Sequence, residues 1–93
     1  MKGISKEDKN LFIDQVATVL STPNGRSNFL SLGGYNDAKK FVRNIDPSHC
    51  GKLVENGQHF LNIMTRALAA VNDDDLTRRW EGLQAEHRAS KGR

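Results

Sequence analysis

His49 and Cys50 are adjacent, and His59 follows nine residues after the cysteine; they form the one local grouping whose residue types suit a metal. Zinc takes three or four deprotonated ligands arranged tetrahedrally, and thiolate and imidazole meet that need. The spacing matches no finger pattern, and two neighbouring side chains rarely converge on one ion. The grouping therefore reads as a surface histidine, a semi-buried thiol and a histidine at a helix start. The same residues as nucleophile and base would also need a cleft, an orienting partner and oxyanion donors, which a chain of this length seldom encloses. Gly33-Gly34 is followed by no Lys-Ser or Lys-Thr pair and preceded by no strand, so it is not a phosphate-binding loop. Asp73-Asp74-Asp75 lacks the alternating ligands and distal glutamate of a calcium loop and suits a helix N-terminus instead. The sequence thus predicts no enzyme, no cofactor and no metal.

Charge carries more information. The formal total is +3, from 14 Lys and Arg against 11 Asp and Glu. Residues 1–22 are balanced, 23–71 are basic, 73–75 are acidic, and 76–93 are basic again. Lys39, Lys40 and Arg43 form one positive group and Asp73, Asp74 and Asp75 a negative one, followed after Leu76-Thr77 by Arg78 and Arg79, and these eight residues are the expected partner contacts. Patches of both signs suit complementary protein surfaces, which steer and orient association. A nucleic-acid footprint is the alternative, with Arg78, Arg79, Arg88 and Lys91 on a basic C-terminal helix as phosphate contacts. The equally strong acidic neighbour weakens that alternative.

The elements that hold these residues read as helices. Ser5 precedes Glu7 and Asp8, and Leu11, Phe12, Val16, Val19 and Leu20 make a stripe at three- and four-residue steps, predicting a helix over about 5–21. Pro23-Asn24-Gly25 predicts a turn. Residues 26–32 have room for two helical turns, closed by Gly33-Gly34 through positive φ angles. Asn36 or Asp37 caps a short helix bearing Ala38, Phe41, Val42 and Ile45 on one face. Residues 48–57 predict a single turn or an ordered loop. Phe60, Leu61, Ile63, Met64, Ala67, Leu68 and Val71 give the broad apolar face of a central helix. The acids at 73–75 start the last helix, where Trp80 shares a stripe with Leu76 and Leu83 and reads as core. No strand pair, repeat or low-complexity tract is visible. The fold expected is all-α, a compact bundle of five or six helices.

At 93 residues the chain is a single domain, burying roughly 60–65% of its unfolded surface. Residues 1–87 make the helical interaction domain, and 88–93 read as a flexible tail or the start of a linker. One cysteine excludes an internal disulfide framework. There is no apolar run near membrane-spanning length, and the polar first ten residues lack the apolar core of a signal peptide, which points to the cytoplasm.

The order of features adds a family cue. Gly25-Arg26 followed by Phe29-Leu30, then Leu32-Gly33-Gly34, Ile45-Asp46 and the Gly57-Gln58-His59-Phe60-Leu61 helix start resembles an effector-associated domain, over about residues 10–85. Such domains are small death-domain-like helical adaptors of bacterial conflict and defence proteins. The resemblance implies a death-domain-like bundle that recruits a partner bearing a similar domain, or a second copy of itself. On that reading Lys39, Lys40 and Arg43 of one copy face Asp73, Asp74 and Asp75 of another.

Overall fold

The computed structural model describes residues 4–47 and 50–91. Among them five α-helices run in chain order: α1 (Lys6–Ser21), α2 (Pro23–Leu30), α3 (Tyr35–Arg43), α4 (Gly57–Val71) and α5 (Asp74–Lys91). A 3-10 helix, Cys50–Glu55, sits between α3 and α4, and no strand is present among the described residues. The molecule is 36 × 34 × 19 Å. Its shortest dimension is about that of two stacked helices. Among the described residues no helix is long and apolar enough to cross a membrane.

α1 begins where its cap dictates: the Ser5 hydroxyl accepts a hydrogen bond from the Asp8 amide at 3.0 Å. Its buried face is Phe12, Ile13, Val16 and Leu20. Leu11, expected on that stripe, is instead 61% exposed. The helix is rotated so that Ile13 takes the inward position, a choice that periodicity among consecutive apolar residues leaves undecided.

The expected turn at Pro23-Asn24-Gly25 is the first turn of α2. Thr22 alone joins the helices, ending α1 and capping α2, with its hydroxyl accepting from the Gly25 amide at 3.0 Å. Proline is well placed here, because the first helical residue needs no amide hydrogen bond. Gly25 is required for a different reason. A Cβ added to it would lie 1.9 Å from the Val19 carbonyl oxygen, so α2 turns back directly against the last turn of α1.

Gly33-Gly34 does not end α2 through positive φ, since no glycine has a positive φ among the described residues. Ser31 closes the helix, its hydroxyl bonding to the carbonyls of Ser27 and Asn28, each at 3.1 Å. Gly34 is extended and occupies the cap position of α3, so Asn36 and Asp37 lie within that helix rather than before it. At α4 the Asn56 side chain accepts from the amides of Gln58 and His59. Asn72, in the left-handed region with φ 57°, ends the same helix.

The core joins the helices through large side chains. Phe12, Phe29 and Phe60 are fully buried together with Leu20, Ile63, Met64, Leu76 and Leu83. Trp80 is buried as its spacing predicts. α1 packs mainly on α4 and α2, while α5 lies across α2 and α3. α5 continues to Lys91, past the point where its apolar stripe stops.

Candidate interaction surface

The His49–Cys50–His59 grouping does not assemble a site among the described residues, of which His49 is not one. Cys50 is buried, and its thiol donates to the Asp8 carbonyl oxygen at 3.7 Å. Burial, then the charges of Asp46 and Asp8, push its pKa upward, opposite to the shift that makes a cysteine nucleophilic. His59 lies on the first turn of α4, and the described residues contain no group of three metal-ligating side chains. The expected result with an aromatic disulfide reagent near neutral pH is slow labelling of the native protein, about a hundredfold slower than in urea, because access requires opening of the fold. Equal rates in both conditions would contradict a buried thiol.

The acidic turn is partly occupied from within. Asp73 caps α5, accepting from the amides of Asp75 at 3.0 Å and Leu76 at 3.2 Å. Its other oxygen accepts from Arg26 Nε at 2.6 Å, and Arg26 Nη2 reaches Asp75 at 2.8 Å. Arg26 on α2 therefore clips the start of α5 with both arms of its guanidinium. The hydrogen bond from Arg26 holds the Asp73 carboxyl below its ordinary range, helped by the Leu76 and Asp75 amides and opposed by desolvation. A carboxyl depressed in the fold contributes stability that is complete above about pH 4 and is lost as the pH falls through its folded value. Asp73→Asn preserves a capping oxygen and removes the charge. Thermal melts from pH 7 to 2 are expected to show a shallower acid decline for this variant than for wild type; parallel declines would show that the clip has no electrostatic weight.

Asp74 makes no ion pair among the described residues, and Arg26 offsets one of the three carboxylate charges, so an exposed acidic surface remains at the start of α5.

Lys39, Lys40 and Arg43 lie on α3 and line one open groove together with Asn36, Val54 and Glu55. Arg43 pairs with Glu55 at 2.9 Å, which steadies the 3-10 helix against α3. Lys40 is exposed and Lys39 half-buried, and neither has an ion-pair partner among the described residues. Helix spacing puts Lys39, Lys40 and Arg43 within one turn of each other, so their charges form one patch.

Tyr35, at the start of α3, fixes where that patch lies. Its ring stacks on His87 at 3.9 Å between centroids and on Trp80 at 5.6 Å, and meets the edge of Phe60 at 5.4 Å. α3 therefore begins beside the C-terminal half of α5. His87 lies thirteen positions beyond Asp74, about 20 Å of helix. No ion pair joins the basic and acidic surfaces among the described residues.

The C-terminal arginines divide between structure and surface. Arg78 and Arg88 are exposed. Arg79 is half-buried, and its Nη2 donates to the Leu32 carbonyl oxygen, tying α5 to the loop before α3. Of the four cations grouped as phosphate contacts, Arg79 is thus engaged inside the fold, and the side chain of Lys91 lies outside the described residues.

Two features leave little trace in the sequence. Arg26 and Asp73 are 47 residues apart, so charge counted by segment does not bring them together. The Tyr35–His87 stack joins a tyrosine at a loop end to a histidine just beyond the last apolar position of α5. His87 lies seven residues after Trp80, and that spacing is the one signal available for it.

Comparison of the chain with known protein families, with curated proteins and with solved structures finds no match in any of the three.

Proposed function

We propose that the chain is a non-enzymatic interaction module that associates with a similar helical domain, a second copy of itself included. The observation that supports this most is that two unlike patches, Lys39 and Lys40 on α3 and Asp74 at the start of α5, form no ion pair with each other among the described residues. Within a copy these opposite charges do not pair among the described residues. They can do so between copies, in a head-to-tail contact. The six-helix architecture is consistent with a death-domain-like adaptor of the effector-associated kind, and with a role in bacterial defence signalling in the cytoplasm. Burial of Cys50 and the upward push on its thiol pKa count against it as a nucleophile.

Sedimentation velocity tests this. In low salt the wild-type protein is expected to sediment faster as its concentration rises, and to return toward the 10.4 kDa monomer in about 0.5 M salt, where charges more than a few ångströms apart are screened. A monomer at every concentration and salt would contradict self-association.

A further inference from the structure

A second positive surface lies on the other side of the 3-10 helix. The starts of α1 and α4 and the 3-10 helix enclose an open hollow of about 590 Å³, within the size range of small-ligand sites. Lys6, Lys9 and Lys52 line it with His59, and Ile4 and Leu53 give it an apolar wall. No carboxylate of a described residue lines it. Of the nearby acids, Glu55 is paired with Arg43, and Glu7 and Asp8 do not contribute to the lining. None of the three lysines makes an ion pair among the described residues. Three ammonium groups around one concavity repel each other when no counter-charge is present. An anion seated between them converts that repulsion into attraction. Lysines act as point charges on flexible stems rather than as bidentate forks, so three of them suit a ligand with several separate anionic oxygens. The His59 ring supplies a further N–H donor at the edge.

We propose that this hollow binds a small oligophosphate anion, with Lys6, Lys9 and Lys52 as its charge contacts. The site uses none of the α3 or acidic-turn residues, so it stands or falls separately from the association proposed above.

The test is calorimetric titration of the intact protein with inorganic triphosphate at low salt, accompanied by amide NMR shifts. The expected result is one site per chain, with shifts concentrated at Lys6, Lys9, Lys52 and residues 56–59. The Lys6→Gln/Lys9→Gln/Lys52→Gln variant is expected to bind about tenfold more weakly, since each exposed charge contact is worth up to roughly fivefold. Lys39→Gln/Lys40→Gln/Arg78→Gln, with the same loss of charge elsewhere and the Arg43–Glu55 pair left intact, should stay within about twofold of wild type. Should the half-buried Lys9 prove necessary for folding, Lys6→Gln/Lys52→Gln alters only exposed side chains and is expected to weaken binding about fivefold. A parallel titration with a nucleoside triphosphate separates the ligand sources. Tighter binding than inorganic triphosphate supports the hollow as a nucleotide site using the Ile4–Leu53 wall, and equal binding supports recognition of the phosphate chain alone. No binding of triphosphate at millimolar concentration, or equal losses in the two triple variants, would overturn the proposal.

Discussion

Gly25→Ala is expected to destabilise the protein by about 3 kcal/mol, although helix propensity alone predicts a gain of about 1 kcal/mol for this change. Gly25 sits in the first turn of α2, where the added methyl would stand 1.9 Å from the Val19 carbonyl oxygen and 2.8 Å from its carbon. Both are backbone atoms of α1, so no side-chain rotation relieves the overlap. The helices must separate, which loosens Phe29 and Leu20 in the core behind them. Overpacking thus outweighs propensity, and the melting temperature should fall by about 10–20 °C. Gly82→Ala is the matched control. Gly82 lies inside α5 with nothing within 4 Å of an added Cβ, and alanine there should stabilise by about 0.5–1 kcal/mol. Urea denaturation of the pair checks both signs. Stabilisation by both substitutions would show that α2 does not press on α1 as described.

Phe60→Ala is expected to cost about 3–5 kcal/mol, the range for removing a buried phenylalanine. Phe60 is fully buried on α4, meeting the ring of Trp80 on α5 at 5.3 Å and that of Tyr35 on α3 at 5.4 Å. It is the point where three helices share one aromatic cluster, and few neighbours could collapse into its space without shifting α3. A domain of this length is stable by only about 5–14 kcal/mol. The variant should therefore be near the limit of folding, with a lower urea midpoint and weakened near-ultraviolet dichroism from Trp80. Phe60→Leu keeps most of the volume and should cost about 1.5 kcal/mol. A loss for alanine no larger than that for leucine would mean that the cluster does not hold α3 and α4 together.

Periodic features are legible in the sequence. The stripes of α1 and α4 and the buried position of Trp80 follow from three- and four-residue spacing, because each records one helix facing one core. Features that depend on two elements are not. Gly25 reads as a turn residue because a glycine chosen for close approach looks, in sequence, like one chosen for a turn. Gly33-Gly34 likewise reads as a left-handed cap, whereas Ser31 closes α2 and Gly34 opens α3. Leu11 reads as inward-facing because an apolar run of three, Leu11-Phe12-Ile13, does not state which two face the core. The basic group on α3 is visible as a local run, and so is the acidic turn. Their partners Glu55 and Arg26 are not, since those pairs are set by helix packing. Lys6 and Lys9 disappear into a segment of balanced charge, and only the fold brings Lys52 beside them.

Charge reversal tests the central claim, that the α3 patch of one copy meets the acidic turn of another. Lys39→Glu/Lys40→Glu removes the positive partner, and Asp74→Lys removes the unpaired carboxylate while leaving the Asp73 cap and its Arg26 clip intact. Each variant alone should be monomeric under conditions where wild type associates. Mixed, the two should form a complex holding both in equal numbers, as read by light scattering behind size-exclusion chromatography. In that complex the unaltered α3 lysines of the second variant meet the unaltered Asp74 of the first, and the reversed α3 patch of the first matches the reversed charge at position 74 of the second. Self-association of either variant alone at the wild-type level, or no complex in the mixture despite association of wild type, would contradict it.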